Sequence, residues 1–142
     1  MKHLITVAAM ALATSAYAEG QTHHVAVHVN QNDPQTMNMA LNNVQNLTNY
    51  YKSQGDDVVV EVVTYGPGLH MLMEGKSPVA DRVAAMSLEI ENLTFAACGN
   101  TIKGIEKKTG APVTLLSEAM VTPSGVVRLI ELQEQGYAYV RP

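Results

Sequence analysis

Apolar and polar positions along this chain recur with two periods, and the switches between them mark its elements. Residues 24–30, "HVAVHVN", set valines against His24, Ala26 and His28 at every second place, the period of a β-strand. Asp33-Pro34 is a helix-start signal. Beyond it, Met37, Ala40, Leu41, Val44, Leu47 and Tyr51 form one helical stripe, opposite a face rich in asparagine and glutamine that reads as solvated.

The segment 58–66, "VVVEVVTYG", is nearly continuous valine, as suits a central parallel strand covered on both faces. Gly66-Pro67-Gly68 breaks it, and a short apolar turn follows. Ser77 and Pro78 then read as the cap and first-turn proline of a second helix, with Val79, Val83, Met86 and Ile90 turned inward. "LTFAAC", 93–98, predicts a third strand. Residues 99–108 predict a third helix, with Lys107 and Lys108 at the negative end of its dipole and Gly110 as its stop. "EAMVTP" is a fourth short strand, Ser124 caps a helix over about 125–135, and "YAYVRP" closes as a fifth strand with Tyr137 and Tyr139 on one side.

Strand and helix alternate four times before the closing strand. That predicts an α/β fold, a three-layer α/β/α sandwich around a mainly parallel five-stranded sheet, in one domain over residues 19–142. Sheet order does not follow from the pattern.

The first eighteen residues stand apart. Lys2, an apolar run from Leu4 to Ala13 and the small residues around Tyr17 have the layout of a cleaved secretory signal, with cleavage expected after Ala18 and a periplasmic or secreted protein as the result. No later apolar run is long enough to span a bilayer. The formal charge of −4 becomes more negative still without Lys2. Such a balance disfavours nucleic acid and anionic membranes as partners, since both attract basic patches.

Cys98 is the only cysteine in the chain and forms no internal disulfide. In parallel α/β sheets the loops leaving the carboxyl ends of the strands share one edge, where ligands bind. Those loops begin here at Asn30, Gly66, Cys98 and Pro123. They offer Asn30, Gly66, Gly68, Gly99, Asn100, Thr101 and Ser124 as a candidate binding edge around Cys98. A helix start beside the thiol stabilises its thiolate. The opposing expectation is a packed thiol, because free cysteine is often buried. His70, Met71 and Met73 form a weaker candidate set for a soft metal such as copper. Glu61, Glu89 and Glu91 offer no paired-carboxylate site.

Four segments carry a resemblance: "HVNQNDPQTMNMALNNVQNL", "VEVVTYGPGLHML", "FAACGNT" and "VTPSGVVRLIELQEQGYAYVRP". They are the most specific pieces of a resemblance that extends over nearly all of residues 19–142: the chain resembles a secreted branch of the DsrE/DsrF-like sulfur-relay family. The resemblance implies a cysteine at a strand end that accepts sulfane sulfur as a persulfide and passes it on, a role that maps onto Cys98. It also implies a sulfur donor and acceptor, either proteins or small sulfur species, and a symmetric homo-oligomer, trimer or hexamer. No cofactor is expected. The family's characterised relays work in the cytosol, whereas this chain carries an export segment. The rival expectation is a non-catalytic periplasmic module that binds a small anion or soft metal.

Overall fold

The computed structural model describes residues 20–142; the expected secretory signal and the expected cleavage after Ala18 lie outside the described residues. The chain runs β1 (Thr22–Val29), α1 (Pro34–Ser53), β2 (Asp57–Thr64), a 3-10 helix (Gly66–Leu72), α2 (Ala80–Glu89), β3 (Leu93–Cys98), α3 (Gly99–Thr109), β4 (Ala119–Thr122), α4 (Gly125–Glu134) and β5 (Ala138–Val140). The sheet has the order β4-β3-β2-β1-β5, and every strand pair in it is parallel. No helix among the described residues is long and apolar enough to cross a membrane.

The order follows from chirality. A right-handed crossover places its helix on a face set by the direction in which the sheet grows. From β1 to β4 the sheet grows one way, so α1, the 3-10 helix, α2 and α3 pack on one face. There Val25, Val27 and Val29 of β1, Val60 and Val62 of β2 and Phe95 of β3 meet Met37, Leu41, Val44, Leu69, Met71, Leu72, Val83 and Met86. The last crossover returns over the whole sheet to the far side of β1, so α4 lies on the other face. Its Leu129 and Leu132 cover Ala26, Val63 and Ala96, with Tyr65 and Tyr137 packed alongside. One helix covers that face of five strands, which leaves Met120, Val127, Ile130 and Tyr139 exposed.

Several local expectations need correction. The second helix begins at Ala80 with Val79 at the N-cap, not at Ser77-Pro78. Ser77 Oγ instead donates to the Met71 carbonyl at 2.6 Å and accepts from the Val79 N–H at 3.3 Å, which ties the preceding turn to the 3-10 helix. That 3-10 helix occupies the stretch expected as an apolar turn. Ser124 stands at the N-cap of α4, yet its side chain makes no capping bond. The amide face of α1 is not simply solvated: Asn38 and Asn42 accept from the Arg82 guanidinium at 2.7 and 2.9 Å, pinning α2 to α1. The last strand is only three residues long, so Tyr137 precedes it.

Candidate functional site

The helix leaving β3 goes to one face and the helix leaving β4 to the other. Adjacent strands whose exits diverge in this way create the crevice where open parallel sheets bind ligands. Cys98, the last residue of β3, stands at that point, level with Thr122 of β4. It is also the N-cap residue of α3. Its register parity with Ala96 turns it toward the α4 face, and its residue surface is only 4% exposed.

Two helix starts converge on the sulfur. Burial pushes the Cys98 thiol up, but the Thr101 side chain and the backbone N–H groups of Gly125, Thr101 and Asn100 together outweigh it, so the thiol titrates below the usual cysteine range. The side chain closes no capping hydrogen bond in the conventional sense. The N–H groups act instead as a field that favours the thiolate. Asn100 contributes least, and its N–H also donates to the Pro123 carbonyl at 3.2 Å. Thr101 is held ready: its Oγ1 accepts from the Gly66 N–H at 2.9 Å, which leaves the hydroxyl proton to donate toward Cys98.

Gly125 is the tightest part of this shell. A Cβ there would lie 2.9 Å from the Tyr65 Cβ and 3.2 Å from the Cys98 Cβ, so only glycine lets α4 begin against both residues. Gly99 is nearly as close to the β4 exit, where an added Cβ would meet the Thr122 and Pro123 carbonyls at 3.1 and 3.3 Å. The Tyr65 ring in turn lies 4.6 Å, centroid to centroid, from that of His28 on β1.

The expected binding edge therefore divides. Gly66, Asn100 and Thr101 gather around Cys98, and Gly99 packs beside it against β4. Ser124 contributes position only, directly before Gly125. Gly68 lies apart, its backbone pressed against the Val29 carbonyl. Asn30 is also apart, accepting from the Arg141 guanidinium at 3.1 Å. The soft-metal set does not assemble, since Met71 and Met73 are packed in the core and the His70 Nδ1 is 3.1 Å from the Pro67 carbonyl.

Sequence reasoning missed the contribution of Gly125, Tyr65 and His28 to this shell. A glycine directly after the Ser124 cap position was the one local signal available for Gly125. It also missed a half-buried ion pair. Arg128 on α4 donates Nε and Nη2 to the two carboxylate oxygens of Glu61 on β2, both at 2.7 Å, and Glu131 lies 3.6 Å from its Nη1. The pair lines an open groove of about 440 Å³ between α4 and the edge strand β4, with Ala96, Met120 and Pro123 also along it.

Comparison with solved structures finds a protein of unknown function, MTH1491, from Methanobacterium thermoautotrophicum. The two superpose with a TM-score of 0.71 at 28% sequence identity, over 84% of this chain and 99% of that one. No protein-family model and no curated protein matches the chain.

Proposed function

We propose that this protein is an exported, DsrE-like sulfur carrier that takes up sulfane sulfur on Cys98 as a persulfide and passes it to an acceptor. The observation that carries the reading is the placement of one thiol at the divergence of β3 and β4, under donors from two helix starts that favour its thiolate. The Cys98 thiolate attacks the outer sulfur of a donor R–S–SH. The donor's S–S bond breaks, R–S⁻ leaves with the electron pair, and Cys98–S–SH remains. An acceptor thiolate then attacks that outer sulfur and returns Cys98 as thiolate. Atoms and charge balance in each half, and no external oxidant is needed.

The same N–H groups that favour the thiolate suit the charge of a terminal persulfide sulfur. Their convergence on the cysteine sulfur supports sulfur chemistry over the rival reading of a module that binds a free anion. Burial limits the donors to those that present sulfur end-on, such as small persulfides and polysulfides, or a partner protein whose persulfide is carried on a projecting loop. The exposed apolar surface around Met120, Val127 and Ile130 supports the homo-oligomer of this reading, a trimer or hexamer of the same chain.

The test is to incubate residues 19–142 with glutathione persulfide or polysulfide and weigh the intact protein. A gain of one sulfur atom is expected in the wild type and none in Cys98→Ser. An unchanged wild-type mass, or an equal gain in Cys98→Ser, overturns the proposal.

A further inference from the structure

We propose that His28 is a positioning residue for Cys98, acting through Tyr65 and Gly125. The proposal rests on the reading of Cys98 as the reactive thiol and adds to it a device that holds the thiol's donors in place.

The argument begins with a histidine where an apolar side chain would be cheaper. His28 lies on the α4 face of β1, only 4% exposed, in a neighbourhood that includes Ala26 and Val63. Its Nε2 is buried and has no hydrogen-bond partner among the described residues. An unpaired buried polar atom is destabilising, so packing alone does not account for the choice of residue. Its other ring nitrogen has a specific role: Nδ1 is 2.7 Å from the Tyr139 hydroxyl, a short bond that fixes the rotation of the imidazole.

A ring fixed in rotation fixes what stacks on it. The His28 and Tyr65 rings are 4.6 Å apart and inclined by 33°. Tyr65 then meets Gly125 through its Cβ and Cδ1, at 2.9 and 3.0 Å from where a Cβ would stand. Gly125 supplies the second of the hydrogen-bonding groups that favour the Cys98 thiolate, after the Thr101 hydroxyl. Contacts thus run without a gap from the edge strand β5, through Tyr139, His28 and Tyr65, to the first N–H of α4 and the sulfur. A phenylalanine at position 28 would fill the same space but could not hold its rotation, leaving Tyr65 and the start of α4 free to shift. The other charged group near His28 is Arg141, whose guanidinium is already tied to Asn30.

The test titrates the thiol directly, so it does not depend on sulfur transfer. Thiolate absorbance in the ultraviolet is followed against pH for the wild type, His28→Phe, Tyr139→Phe and the double variant, each corrected with its own Cys98→Ser partner. Both single variants remove the same bond while keeping an aromatic ring. A rise of about one pH unit in the Cys98 midpoint is expected in each. The double variant should shift no further than either single one, because the two residues act as one unit. Val58→Ala, in the core on the opposite face, serves as a destabilised control and should leave the midpoint alone. Midpoints of both single variants equal to the wild type overturn the proposal, and so does an equal shift in Val58→Ala. Because no sulfur is transferred, a missing mass gain on Cys98 in the persulfide experiment leaves this result standing on its own.

Discussion

At the scale of single residues, the thiol and the imidazole show how far a sequence can be read. That Cys98 ends a strand and opens a helix was legible, since both facts depend on local periodicity and on the glycine that follows. That it is nearly covered was not, because Gly125, which lies against it, is distant in sequence. His28 reads in the sequence only as one of the alternating positions of a strand, and only the fold brings Tyr139 to its ring. Burial, and secondarily the positive charge of Arg141, hold the His28 pKa below its ordinary 6.5. The unfolded chain therefore binds a proton at pH values where the folded chain does not. Stability from this source is complete above about pH 6.5 and is lost as pH falls through that value toward the lower folded one, with a slope approaching ~1.4 kcal/mol per pH unit. Asp33 and Asp56 are also held low, Asp33 chiefly by the Thr36 side chain and Asp56 chiefly by His23, so they titrate in a more acid range. Urea unfolding between pH 8 and 5 should show the decline in the wild type and a flatter profile in His28→Phe; parallel profiles would mean that another group is responsible.

Between elements, α4 is tied to the sheet by two different kinds of contact. Leu129 and Leu132 bury apolar surface, on the order of 2 kcal/mol each. Arg128 and Glu61 add a bidentate pair in which the carboxylate is 11% exposed and the guanidinium 29%. Glu61→Gln leaves the guanidinium short of a counter-charge in a half-buried site, and a loss of about 2 kcal/mol is expected, below the full cost of a wholly buried pair. A double-mutant cycle with Arg128→Gln, followed by urea unfolding, should return a coupling of about 1–2 kcal/mol. Additive losses would show that the two residues matter separately. The number and type of the elements were legible from the chain because 2.0 and 3.6 residue periods are local properties. The start of α2 was misplaced for a related reason: Ser77 and Pro78 look like a cap in isolation, but the Met71 carbonyl draws the serine hydroxyl away. Likewise Glu61, one acid in a run of valines, carried no sign of its partner 67 positions later.

For the molecule as a whole, the decisive feature is the reversal after β4. Alternation of strands and helices predicted the layers, whereas the strand order required the crossover rule and the position of β5, which three residues of "YAYVRP" could not disclose. The reversal puts one helix on one face and four on the other, and it leaves the β4 side of the thin face open, with Met120 and Val127 exposed. In the proposed oligomer that surface is covered by a second copy. Light scattering should give a mass of three or six chains for the wild type and of one chain for Met120→Glu with Val127→Glu, with circular dichroism unchanged. A wild type that scatters as one chain would remove the oligomer from the proposed function.

The path of α4 across the sheet also imposes an order on biosynthesis. Residues 22–29 emerge from the ribosome long before residues 138–140, which pair along their free edge, and Cys98 emerges before Gly125, which completes its surroundings. While the chain is being made, and during the passage through a membrane that the proposed function includes, the thiol has neither of its helix starts and behaves as an ordinary cysteine. The chemistry proposed for it is therefore switched on by completion of the fold.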